Sequence, residues 1–289
     1  MRGHRTGVRA TRKFNDTRHE AAFEQVELRI IRIMVFHAVN QFFAAHIGFR
    51  GSLGEPLVII DIRPKDLHIA TLVGALNQLN CGTTTLADWC HNNPTPAHND
   101  AAIEGLLASG IRAAFFHGTP KPDPKPGQRP FWEVPHPRSE VERLLKTRFA
   151  SQDGLLSLGL AILGPHYSTY DVAVDDFKLA REFGLIASMH CAGAAARVPD
   201  GWDRLAKEGL LGDNNNIVHG NDLTDAQLRF MLDQGVSFSL TPETEMFQGH
   251  GFAITGRLRS MGAQPSLGVD LESCISGDMF TVARMALAS

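Results

Sequence analysis

From about residue 65 onward the chain alternates between short apolar runs and longer amphipathic ones. The runs at 83–88, 112–117, 156–163, 185–190, 216–219, 236–241 and 266–270 have the length of strands. Several are near-continuous Val, Ile, Leu, Phe or Ala, as expected where a parallel sheet is covered on both faces. The segments between them carry helix signals. Thr95 followed by Pro96 opens a helix that closes at Gly110, and Ser139 with Glu142 predicts a capping box ahead of a helix over 140–149. Thr224 with Gln227 repeats that device, with Leu228, Met231 and Leu232 on one face before Gly235. Tyr170, Val174, Phe177 and Ala180 mark a further helix that stops at Gly184. Asn214, Asn215 and Asn216 read as a turn.

Strand-like runs recurring about every 30 residues with helices between them predict a (β/α)8 TIM-type barrel. Seven units are visible, and the eighth has to come from the first 65 residues. There 57–62 (Leu-Val-Ile-Ile-Asp-Ile) is the strand candidate. The barrel is therefore expected to be incomplete or irregular at its N-terminal strand. It is expected to be so again at its C-terminus, where Ser289 falls inside the helix after the last strand. This divides the chain into an N-terminal extension, 1–56, and the barrel, 57–289. A flavodoxin-like open sheet is the alternative, but it needs fewer units.

Two segments stand apart. The stretch 30–49 is apolar enough to suggest a membrane span, but Arg32, His37, Asn40, Gln41 and His46 interrupt it, which favours a core or amphipathic helix. The connection 119–137 contains Pro120, Pro122, Pro124, Pro126, Pro130, Pro135 and Pro137 and cannot be helix or interior strand. It is either a stiff surface loop or a lid that brings Phe131 or Trp132 to a substrate.

Composition narrows the partners. With 43% hydrophobic and 20% charged residues and a formal net charge of −3, the chain has the make-up of a globular protein and offers no basic field for nucleic acid. Cys81, Cys90, Cys191 and Cys274 form no CxxC pair, which favours reduced thiols and a cytoplasmic location. The basic start, Arg2 to Lys13, is followed by no apolar h-region, so a secretory signal is not expected. A small-molecule substrate and a homo-oligomer are expected, with neither membrane nor nucleic acid as partner.

Four of the strand-like runs end in a residue able to bind metal or move protons: His117, His190, His219 and Asp270. In a parallel barrel these ends share the face on which barrel enzymes place their active sites. Imidazole with carboxylate suits a divalent metal, zinc first and iron second. Asp270 is placed to take a proton from water, and His219 to polarise a substrate. His117 itself, His91 after the first of these runs, and Glu245 and His250 after the run at 236–241 are candidate substrate contacts.

Gly82-Thr83-Thr84-Thr85-Leu86-Ala87-Asp88, Met189-His190, Val218-His219-Gly220-Asn221 and Ser266-Leu267-Gly268-Val269-Asp270 resemble strands 2, 5, 6 and 8 of the amidohydrolase superfamily. The nearest branch is that of the cytosine deaminases and triazine chlorohydrolases. The resemblance runs in unbroken order over 65–289. It implies a metal-dependent hydrolase acting on a C–N bond of a small, possibly heterocyclic substrate. His190 and Asp270 would be metal ligands, Asp270 also the proton shuttle, and His219 the histidine beside the substrate. The family's strand 1 His-x-His pair has no counterpart, since no His-x-His occurs in the chain, and Gly193 stands where many relatives carry a proton-donating Glu. A barrel without that pair is expected to hold zinc weakly. The alternative is a catalytically impaired barrel serving as a binding or oligomerisation module.

Overall fold

The computed structural model describes residues 62–289 apart from 152–153, 194 and 272–274, together with the backbone of one strand at 35–37. Eight parallel strands lie in chain order: β1 Val35–His37, β2 Thr85–Cys90, β3 Arg112–His117, β4 Leu156–Ala161, β5 Ala187–Cys191, β6 Asn215–His219, β7 Ser237–Leu240 and β8 Ser266–Leu267. Helices alternate with them: α1 Pro64–Asn80, α2 Pro96–Ser109, α3 Arg138–Lys146, α4 Gly164–Tyr167, α5 Tyr170–Glu182, α6 Gly201–Lys207, α7 Asp225–Asp233, α8 Pro242–Phe247, α9 Thr255–Ser260 and α10 Met279–Ala288. Among the described residues this is an incomplete (β/α) barrel of TIM type, whose terminal strands are short: β1 has 3 residues and β8 has 2.

The first strand departs from expectation. The sheet takes Val35–His37, from within the 1–56 segment, with His37 in register with Asp88 of β2. The expected strand at 57–62 lies outside the described residues except for Ile62, and so does most of the apolar stretch 30–49.

Side-chain alternation along the strands sorts the core into two parts. Ala87, Trp89, Ala114, Phe116, Ala161 and Val218 form the barrel interior. Their neighbours Leu86, Cys90, Phe115, Leu158, Leu160, Met189 and Ile217 face the helices and join the larger cluster with Leu67, Leu106, Leu144 and Phe177. Gly159 is required for this packing. It pairs with Phe116 across β3 and β4, and a Cβ there would stand 2.5 Å from the Phe116 ring. Asn215 and Asn216 are buried within β6 rather than in a turn. Asn216 bonds Ser188 and Ser239, Trp89 Nε1 donates to Ser188 Oγ at 3.1 Å, and Ser239 meets Ser266 at 2.7 Å. A polar girdle thus links β2, β5, β6, β7 and β8 across the barrel.

Helix ends follow the sequence unevenly. Thr224 caps α7 in a capping box with Gln227, and Gly110 ends α2 with φ 75°. The predicted Ser139 box does not form, because α3 begins two residues earlier, behind Pro137, whose fixed φ already favours a helix start. Cys90 and Cys191 are buried and in no disulfide among the described residues, Cys81 is partly buried, and Cys274 lies outside the described residues. Among the described residues no helix is long and apolar enough to cross a membrane.

Candidate active site

The strand alternation that builds the core also selects which strand-end residues reach the barrel mouth. On β5, Ser188 and His190 take the interior face, so His190 sits in the barrel beside Trp89, ring centroids 4.1 Å apart. On β6 the interior positions are Asn216 and Val218, and alternation would send His219 outward with Ile217. His219 instead adopts φ 70°, a left-handed backbone that costs a non-glycine residue ~1–2 kcal/mol. Its ring stacks on His190 at 5.2 Å and meets His250 at 5.4 Å. Asp270, just past β8, is likewise left-handed, with φ 61°. Two strained residues at neighbouring points of one barrel rim are the signature of a site whose side chains have been re-aimed.

Glu245 anchors the group. It lies on α8 and is fully buried. Its Oε1 accepts from the Thr241 backbone N–H at 2.7 Å and pairs with His219 Nδ1 at 3.2 Å, and its Oε2 accepts from Asn221 at 3.3 Å. The Thr241 hydroxyl also contacts His219 Nδ1, at 3.1 Å. Burial works against a charged His219. The Glu245 hydrogen bond and the carboxylates of Asp270 and Glu245 outweigh it and hold the imidazole above its ordinary range. Burial pushes the Asp270 carboxyl up to about 6, with His219 opposing and Glu245 adding to the rise. His190 is held well below its usual range, by burial first and then by the positive charge of Lys121 and its histidine neighbours. The site therefore pairs a histidine disposed to carry a proton with a carboxyl disposed to exchange one near neutral pH.

The remaining candidates divide. His250 joins the group from the loop after α8, its backbone N–H donating to the Glu245 carbonyl at 2.8 Å. His91 meets the Trp89 ring edge-on at 5.4 Å, and burial together with Lys121 lowers it to about 3. His117 is not brought in. It follows Phe116, an interior residue, so it faces the helix layer, where its Nδ1 contacts His136 Nε2 at 2.8 Å. Burial brings it to about 4. In the proline-rich connection, Trp132 lies under the Arg197 guanidinium at 4.3 Å. The residue this connection delivers to the mouth is Lys121, whose ammonium stands over the rings of Trp89 at 5.1 Å and Tyr167 at 5.7 Å. Lys121 escaped the sequence reading because a lone Lys among prolines carries no signal. Only the path of the loop places it.

A cavity of about 500 Å³ opens beside His250, lined among others by Gly193, Asp222, Leu223 and Trp202. Gly193 has φ 79°, donates its N–H to Asp222 at 3.2 Å, and would place a Cβ 2.8 Å from His250 Cε1. Any side chain at this position, including the Glu that the resemblance implies, would be strained on the backbone found here.

Among the described residues, no group of three or more His, Cys, Asp or Glu is arranged to hold a metal ion. His190 and His219 stack at 17° between planes, and Glu245 and Thr241 engage His219 Nδ1. The described residues therefore do not by themselves fit a metal.

No protein-family model matches the chain. It is 25% identical over 237 residues to the 5-methylthioadenosine/S-adenosylhomocysteine deaminase of Bacillus cereus, covering 77% of this chain and 51% of the relative. The chain thus spans about half the length of the curated relatives it matches. Among solved structures, an amidohydrolase from Brucella melitensis superposes with a TM-score of 0.65 at 16% identity, over 88% of this chain and 63% of that one. A zinc-bound adenosine deaminase from Xanthomonas campestris gives 0.61 at 21% identity, over 78% and 51%. Barrel and strand order are shared with these solved structures, and in sequence the chain is similar to the deaminases over three quarters of its length.

Proposed function

We propose that this chain carries the substrate-side residues of a hydrolase acting on the C–N bond of a small aminated heterocycle, with an adenine-type amine as the first substrate to test. The observation that carries the reading is the His219–Glu245–Asp270 group with its two left-handed residues. His219, held by Glu245 through Nδ1, offers Nε2–H to the ring nitrogen on which negative charge develops as water adds to the adjacent carbon. Asp270 accepts the proton of that water and returns it to the departing amine, which leaves as ammonia. The names of the relatives support the reaction class. The zinc-bound neighbour supports a divalent ion, zinc first and iron second, as the cofactor of the whole protein. No step above depends on one.

Ammonia release from adenine, cytosine and triazine amines, with and without added zinc, tests the reading. His219→Ala and Asp270→Asn are each expected to lower turnover by two orders of magnitude or more. Release that survives both substitutions defeats it. A second reading, a catalytically impaired barrel that binds ligand or a second copy of itself, is favoured by the incomplete ligand set. Absence of release under every condition, with ligand binding retained, would establish it.

A further inference from the structure

Lys121 is the one residue of the mouth whose charge the described structure leaves unanswered. No described carboxylate pairs with it, and its ammonium rests only on the faces of Trp89 and Tyr167. Neither ring is free to move. Trp89 Nε1 is tied to Ser188 Oγ, and the Tyr167 hydroxyl donates to the Ala192 carbonyl. A half-buried ammonium without a counter-ion is unfavourable, and two aromatic faces offset that only in part. From it the rings run in contact towards the reacting group: Lys121 to Trp89 at 5.1 Å, Trp89 to His190 at 4.1 Å, His190 to His219 at 5.2 Å. A flat molecule lying along this row would meet a cation at one end and His219 at the other.

We propose that Lys121 is the specificity-determining residue of this site, and that the ligand it admits combines a flat unsaturated ring with a carboxylate, the ring lying against the partly exposed His190 and the carboxylate meeting the Lys121 ammonium, with the buried Trp89 as the floor beneath that ammonium. The inference rests on the same mouth as the proposed hydrolase but not on turnover. Lys121 selects by charge, so a neutral isostere of the same shape binds less well. Within the proline-rich connection, Pro120 and Pro122 flank it, restricting the backbone and lowering the cost of holding the side chain in place.

The test is equilibrium binding by calorimetry on the full 289-residue chain, with benzoate and its neutral isostere benzamide as probes. The unmodified chain is expected to bind benzoate at least tenfold more tightly. Lys121→Met is expected to abolish that preference without lowering the melting temperature, and Lys121→Arg to retain most of it. Equal affinity for the two probes, no measurable benzoate binding, or a preference that persists in Lys121→Met overturns the proposal. Loss of the proposed reaction with the benzoate preference intact would fault the hydrolase reading and leave this one standing. Turnover of neutral amines with no benzoate preference would do the reverse.

Discussion

At the scale of single residues the structure concentrates its departures from routine at a few buried acids. Asp88 of β2 is fully buried, and among the described residues neither carboxylate oxygen has a hydrogen-bond partner. Burial pushes the group up to about 7. In the unfolded chain the same carboxyl loses its proton near pH 4. Between those values the folded form holds one proton more, so Asp88's contribution to stability is complete below pH 4 and is lost as pH rises towards 7, at ~1.4 kcal/mol per pH unit. Asp88→Asn should therefore raise the melting temperature at pH 8 while leaving it little changed at pH 4. Thermal unfolding followed by circular dichroism across pH 4 to 8 reads this directly, and an unchanged melting point at pH 8 would contradict it. Asp88 was legible in the sequence only as part of the Gly-Thr-Thr-Thr strand. That it would be buried without a partner depends on which face of β2 meets the helices, which a near-continuous apolar run does not encode.

At the scale of elements, strands and helices were legible wherever periodicity and punctuation agreed. β3 is found at Arg112–His117, as its pattern predicts, and α7 starts at its Thr224–Gln227 box. The misses have physical causes. Val35–His37 carries no strand signal of its own, being three residues inside a longer apolar stretch, since so short a pairing depends on β2 rather than on local preference. His117 is the last residue of β3 and His190 the last but one of β5, and parity places one behind the sheet and the other in the barrel, so a position near a strand end alone does not assign a side chain to the mouth. The loop after β5 shows how far one backbone geometry constrains an element. Gly193→Ala would force a side chain into a left-handed position and into His250, at a cost of ~1 kcal/mol or more. The expected outcome is a melting temperature lower by a few degrees and weaker ligand binding at the mouth. A variant matching the parent in both would show that this loop does not hold His250 in place.

For the whole molecule, the order of strands and the barrel itself followed from the repeated βα grammar, while the metal question turns on the part of the chain where that grammar fails. His190 and Asp270 are the ligands the resemblance supplies. Two imidazoles fewer should lower zinc affinity by several orders of magnitude relative to a complete site. The purified 289-residue chain, dialysed against metal-free buffer, is accordingly expected to retain well under one equivalent of zinc by elemental analysis. A full, tightly held equivalent would mean that residues outside the resemblance complete the set.

The left-handed backbone at His219 and Asp270 bears on how this sequence can drift. At such a position β-branched residues are strongly disfavoured, whereas Gly, Asn, Asp and His are admitted. Relaxed selection on chemistry would therefore not open these two sites to the usual spectrum of replacements, because the rim of the barrel would still reject most of them. A descendant that had lost activity could keep His219 and Asp270 for conformational reasons alone, and the informative losses would be at Glu245 and His190, whose backbones impose no such filter.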